Sequence, residues 1–160
     1  PLDKAVIKKE GADVTLIGVS YMTLECLRAA DLLARQGISA EVIDLRSVRP
    51  IDYDTLINSV QKTGLVLIAD HATLVGSITS ELASRLSEKL FDSLKKAPIR
   101  VGLPDYPVPT SHQLAEGYYP LASTIFDSTV TALGLPSLRR ELTTNQIPRD
   151  QPDASFTGPF

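Results

Sequence analysis

At 160 residues, 43% hydrophobic and 22% charged, the chain is long enough for one domain with its own core and too apolar for wholesale disorder. A formal net charge of −3 without a Lys/Arg cluster gives no footprint for nucleic acid, and charged or polar residues break every apolar run before the roughly 18–20 residues of a membrane helix. The one cysteine, Cys26, excludes an intrachain disulfide framework and a cysteine-only zinc site. This composition suggests a soluble, single-domain, intracellular protein, and the opening at Pro1, with neither a methionine nor a charged-then-apolar leader, suggests a piece of a longer polypeptide.

The segments Ala5–Gly11 and Asp13–Val19 favour extended structure, with Gly11 as the turn of an amino-terminal hairpin. Val14–Val19 is apolar at nearly every position, as in a strand covered on both faces. From Thr23 to Gln36 the period becomes helical, with Leu24, Leu27, Ala30 and Leu33 or Ala34 recurring every three or four residues and Gly37 as the stop. Ser39–Leu45 reads as the next strand. Asp52 is placed to cap a helix bearing Tyr53, Leu56, Ile57 and Val60 and closed by Gly64.

Leu65–Ala69 is a further core strand, and Ser77–Leu90 a helix with Ile78, Leu82, Leu86 and Leu90 spaced by four. Ile99–Leu103 is the last strand. A proline-rich loop, Pro104–Pro109, leads to a helix carrying Leu121, Ile125, Val130 and Leu133 and ended by Gly134. Strict alternation of strand and helix implies crossover units, hence an α/β fold with a mostly parallel sheet and helices on both faces. Residues 135–160 hold four prolines and little apolar periodicity, and read as an extended tail beyond a domain of residues 1–134.

Chemical motifs are sparse. Gly18-Val-Ser-Tyr-Met-Thr23 has one glycine where a dinucleotide fold needs three, and no phosphate-cradling Gly-Lys-Ser/Thr loop exists. Ser20 lies between strand and helix as a nucleophile does, with Asp70, Asp105 and His112 as conceivable partners; the alternative is a serine that caps the helix or ends the strand. His71 follows a core strand at the carboxyl end of the sheet, where α/β folds bind ligands, which points to a role at a site or a subunit contact. Asp70 and Asp105 also follow strands, and each could equally cap a helix or tie a loop. No His/Cys/Asp/Glu set has metal-ligand spacing. Cys26 reads as a packed small hydrophobe. In Asp44-Leu-Arg-Ser-Val-Arg-Pro-Ile-Asp52, Arg46 and Arg49 sit among apolar residues between two aspartates, as an internal carboxylate clamp, an interface anchor, or simply an exposed charged loop.

That nine-residue segment closely resembles the D-L-R-T-L-R-P-L-D motif of the transketolase C-terminal domain in the β subunits of 2-oxo acid dehydrogenase E1 enzymes. Pro1–Gly11, Gly11–Ile17, Val60–Gly64, Ala97–Val101 and Pro104–Pro109 match further stretches of that family in order, so the resemblance covers residues 1–134. It implies a three-layer α/β/α domain whose five-stranded sheet has one antiparallel edge strand. It also implies that this segment binds no cofactor alone, whereas the parent enzyme uses thiamine diphosphate and Mg²⁺ to decarboxylate a 2-oxo acid and acylate a lipoyl group.

The domain would then serve assembly and the substrate channel. Its partners would be an E1 α subunit or the cofactor-binding half of β, a second copy in a homodimer, and an acyltransferase (E2) core, with no nucleic acid and no membrane. The compartment would be the cytoplasm of a bacterium or the mitochondrial matrix. His71, Arg46, Arg49, Asp105 and Asp70 are the residues expected at an interface or facing the site.

Asp70-His71 and Leu74-Val75-Gly76 depart from the acidic residue and glycine pair usual in the β subunits. Asp-His is closer to the deoxyxylulose-phosphate synthase and transketolase-like branches, a second possible parent. A free-standing flavodoxin-like module binding a small ligand at the strand ends is a third.

Overall fold

A computed structural model describes residues 3–111, 115 and 117–135. The elements are β1 (Val6–Lys9), β2 (Val14–Gly18), α1 (Met22–Arg35), β3 (Ala40–Asp44), α2 (Tyr53–Thr63), β4 (Val66–Thr73), α3 (Ile78–Leu90), β5 (Ile99–Leu103) and α4 (Ala122–Ala132). The five strands form one sheet in the order β1-β3-β2-β4-β5, parallel except for β1. This is the mixed α/β sheet with one antiparallel edge that the resemblance implied.

Adjacent residues of the central strands point to opposite faces and feed separate cores. Leu16, Val42 and Leu67 join Cys26, Ala29 and Leu33 of α1 and Ile125, Phe126 and Val130 of α4. Ile17, Ile43 and Ile68 join Leu56 and Val60 of α2 and Leu82, Leu86 and Leu90 of α3. The helices therefore form an outer layer on each side of the sheet. No helix among the described residues is long and apolar enough to cross a membrane.

The first strand is not half of a hairpin. β1 pairs antiparallel with β3, not with β2, because both edges of β2 are taken by β3 and β4. Residues 10–13 instead cross the start of β3, where Ala12 and Asp13 donate to Ser39 O at 3.0 and 2.8 Å. Gly11 is required for close approach, since a Cβ there would run into the backbone of Ala40 and Glu41.

The helix-capping expectation for Asp52 holds. Its carboxylate accepts the Thr55 N–H at 3.4 Å and the Thr55 hydroxyl at 2.8 Å, and Gly64 closes α2 in the left-handed conformation. Asp52 also accepts the Ala5 N–H at 3.2 Å, which fastens the start of β1 to α2.

Candidate functional site

The topology singles out one end of the sheet. From the carboxyl end of β2 the chain leaves through α1 on one face toward β3, whereas from that of its neighbour β4 it leaves through α3 on the other face toward β5, so the two connections diverge at the carboxyl ends of β2 and β4. Such a switch point leaves a crevice, the usual ligand site of an open α/β sheet.

His71 stands in this crevice, but inside a strand. β4 continues four residues beyond the apolar run that ends at Ala69, taking in Asp70, His71, Ala72 and Thr73. Between the pairs Ala69–Val101 and Thr73–Leu103, β4 advances four residues and β5 two, so β4 bulges out of the ladder. Gly102 makes room for the bulge, since a Cβ on it would lie 2.7 Å from Ala72 O and 3.0 Å from Leu74 Cδ2. Arg100 on β5 fixes the following loop by donating to Leu74 O and to Ser80 Oγ, both at 2.7 Å.

The bulge delivers the imidazole into a group of tyrosines. Tyr21, from the β2–α1 connection, stacks on it with centroids 5.5 Å apart and planes 25° apart. Tyr119 meets it edge-on at 6.0 Å, Tyr118 packs on Tyr119 at 5.1 Å, and Tyr106 packs on Tyr118 at 5.4 Å. The Tyr118 hydroxyl donates to Tyr106 O at 2.9 Å, tying the loop after β5 to the segment before α4. Four of the five tyrosines of the chain thus converge on the only histidine among the described residues. His71 Nε2 is enclosed without a hydrogen-bond partner among the described residues.

Asp70, half-buried beside it, has its pKa raised by burial, partly offset by the His71 backbone N–H and the charge of the imidazole. Behind Tyr21 lies Glu25, buried on α1, whose carboxylate receives Arg28 at 2.7 Å and the Ala122 N–H at 2.7 Å. Burial, followed by the Glu25 charge, raises the Tyr21 pKa.

The other sequence-selected residues occupy the same end of the sheet without joining this group. Asp105 is exposed in the loop after β5. Arg46 and Arg49 are exposed in the connection after β3, which β2 separates from β4, so they stand about two strand spacings, roughly 10 Å, to the side. The ion pairs of the two bracketing aspartates go to lysines, Asp44 to Lys8 at 3.9 Å and Asp52 to Lys4 at 3.4 Å. Asp44 also takes the backbone N–H of Arg46 at 3.2 Å, where Arg46 has a left-handed φ of 58°. The intrachain clamp expected of these residues is therefore not what binds the aspartates. Asp44 is occupied in shaping the turn and Asp52 in capping α2.

Ser20 is exposed with a φ of 54°, and the N-cap position of α1 falls to Tyr21 without a side-chain cap bond. Ser20 neither ends the strand, which stops at Gly18, nor caps the helix; it lies in the turn between them. No hydrogen bond joins it to a carboxylate or imidazole among the described residues. His112, the histidine considered for a triad, lies outside the described residues, as do residues 136–160 of the expected tail. No group of three His, Cys, Asp or Glu side chains among the described residues could hold a metal. Cys26 is buried, its thiol pKa pushed well above the ordinary range by loss of solvent and by the Glu25 charge. It behaves as the packed hydrophobe expected.

Sequence reasoning missed Tyr21, Tyr119, Glu25 and Arg100. The one visible signal is the concentration of tyrosine in segment 104–120, which holds Tyr106, Tyr118 and Tyr119; Tyr21, Glu25 and Arg100 carry none of their own.

Residues 3–125 match the family model described as "Transketolase, C-terminal domain". The chain is 41% identical over 138 residues to the acetoin:2,6-dichlorophenolindophenol oxidoreductase subunit beta of Bacillus subtilis, a match covering 86% of this chain and 40% of that protein. It is 39% identical over 114 residues to the mitochondrial pyruvate dehydrogenase E1 component subunit beta of Dictyostelium discoideum, covering 71% of this chain and 32% of that one. Among solved structures, a split gene transketolase described as an inactive beta4 tetramer superposes with a TM-score of 0.72 at 33% identity, over 85% of this chain and 44% of that one. The chain thus spans between about a third and two fifths of the length of these curated relatives. With its sheet order, its antiparallel edge and most of its length accounted for, the chain belongs to the transketolase C-terminal domain family.

Proposed function

We propose that the chain is the C-terminal domain of the β subunit of a thiamine-diphosphate-dependent 2-oxo acid dehydrogenase E1. In this reading it supports oxidative decarboxylation and acyl transfer to a lipoyl group by building the subunit interface and the substrate channel. The thiamine diphosphate and Mg²⁺ belong to the rest of the enzyme. The partners are the cofactor-binding half of β or an E1 α subunit, a second copy of this domain, and the acyltransferase core.

One observation carries this reading. Of the eight large apolar side chains exposed among the described residues, five, Val48, Val75, Tyr106, Val108 and Tyr119, lie on connections at the carboxyl end of the sheet, while Ile7, Phe91 and Leu135 lie elsewhere. Such a concentration of apolar exposure on one rim fits a surface made to be covered. The curated relatives carry more than half of their length outside the match, enough to supply that cover. Arg46, Arg49, Asp105, Asp70 and His71 stand along the same rim and are proposed as its polar contacts.

The test is calorimetry and turnover. The isolated chain is expected to show no micromolar binding of thiamine diphosphate with Mg²⁺ and no oxidation of pyruvate, and to gain activity only with its cofactor-binding partner. Saturable cofactor binding by the chain alone would overturn the proposal. A transketolase-like parent is the second reading, favoured by the split gene transketolase at 33% identity. Transfer of a two-carbon unit from a ketose phosphate, with no activity on 2-oxo acids, would select it.

A further inference from the structure

The two outer edges of the sheet are finished differently. β1 carries the devices that keep an edge from pairing with another molecule: Lys8 and Lys9, and a break of register between Ile7 and Lys9. β5 carries neither. It runs Ile99-Arg-Val-Gly-Leu103, with Arg100 as its single charge. Among the described residues, no backbone hydrogen bond reaches it except those of the ladder to β4. Such an edge presents a row of unpaired N–H and C=O groups that a further strand can take up.

We propose that the outer edge of β5 pairs with β5 of a second copy of this chain, antiparallel about a twofold axis at Val101, so that two sheets join into one. This inference rests on the assembly reading above, which includes a second copy, and gives that copy its place. The residues around Val101 select the partner. Pro98 and Pro104 stand three positions to either side of it, and a proline, having no N–H, ends a ladder. Only the register centred on Val101 therefore pairs all five residues. In that register Ile99 lies opposite Leu103 of the second copy, and Arg100 opposite Gly102. No two arginines meet, and the long side chain faces a residue that has none.

Charge agrees with the direction. The exposed Lys95 and Lys96 precede β5 and the exposed Asp105 follows it. Antiparallel copies bring the lysines of each beside the aspartate of the other, whereas parallel copies would oppose like charges. The same arrangement sets the connection bearing Phe91, which is 80% exposed outside the apolar rim, beside the connection of the second copy that bears Tyr106 and Val108.

The test uses the full chain. Sedimentation equilibrium between about 1 and 100 μM is expected to show a mass rising from 17.3 kDa to twice that value. Over the same range, hydrogen exchange should slow severalfold at those amides of 99–103 that point away from β4, and not along β1. Asp105→Lys and Lys96→Asp are each expected to weaken the dimer about threefold to tenfold, and the two together to restore it to within about threefold. Both side chains are exposed, so neither change threatens the fold.

A chain that stays monomeric at 100 μM would overturn the pairing, while the assembly reading keeps its own test in cofactor binding and turnover. A dimer whose β5 amides exchange at the same rate at every concentration would overturn the pairing and leave that reading standing. A double reversal no tighter than the single ones would also overturn it, by removing the antiparallel register.

Discussion

Glu25 and Ala122, 97 residues apart in sequence, are joined by a 2.7 Å hydrogen bond in which the buried carboxylate of α1 accepts the first backbone N–H of α4. The opening N–H groups of a helix have no intrahelical acceptor, and an anion near them is favoured by the helix dipole. α4 lacks a side-chain cap of its own sequence at this N–H, so α1 supplies one.

Glu25→Ala removes the acceptor of both Ala122 and Arg28, and is expected to cost about 1–3 kcal/mol in urea unfolding. Glu25→Gln retains an acceptor oxygen and should lose less than half as much. Hydrogen exchange should locate the difference at the amino end of α4. Equal stability of the Ala variant and the wild type would refute the capping role.

Gly102→Ala places a methyl group 2.7 Å from Ala72 O, inside the bulge that carries His71. The expected loss is about 1–3 kcal/mol, the usual cost of forcing extra volume into a packed region. It should come with altered ring-current shifts of His71 and Tyr21. Intact His71–Tyr21 shifts would show that the bulge does not depend on this glycine.

Asp52 sets an acid limit on stability. Burial opposes its ionisation, but bonds from the Thr55 hydroxyl and N–H, the Ala5 N–H and Lys4 outweigh burial and hold its pKa below the ordinary carboxylate range. A depressed folded-state pKa contributes stability that is present above the unfolded value, about 3.9, and lost as pH falls through the folded one. Unfolding free energy should therefore decline below about pH 4, and less steeply in Asp52→Asn. At neutral pH Asp52→Ala should cost about 1–2 kcal/mol as a lost cap. An acid slope unchanged in Asp52→Asn would assign it to other carboxylates.

Arg49 separates folding from assembly. It is exposed and makes no ion pair among the described residues, so Arg49→Ala should change the stability of the isolated chain by no more than about 0.5 kcal/mol. On the proposed rim it should weaken association with the cofactor-binding partner, with a salt dependence that the wild type shows more strongly. Unchanged association would remove Arg49 from the interface.

The frame of the fold was legible because its signals are local. Val14–Gly18 and Val66–Ala69 are apolar on both faces, Leu82, Leu86 and Leu90 repeat at helical spacing, and Asp52 and Gly64 bracket α2 with their own side-chain and backbone chemistry. What the sequence hid is non-local. The partner of β1 depends on which edges of β2 are already taken, which no window of residues records. β4 runs past its apolar stretch because β5 holds Thr73 opposite Leu103, so apolarity alone ended it at Ala69. The tyrosine group around His71 draws on three segments separated by about 50 residues each, and none of them has a motif of its own. Arg46 and Arg49 announced themselves by type and spacing, yet the carboxylates beside them proved to be committed to Lys8, Lys4 and helix capping.

Because β4 carries two more residues than β5 between their last shared pairs, its final stretch has slack that the ladder does not use. Residues 70–72 could be lengthened, shortened or replaced there while Leu67 and Ile68 keep their neighbours. Change at the rim is thus uncoupled from change in the core, and one scaffold can be fitted to different companions without being rebuilt.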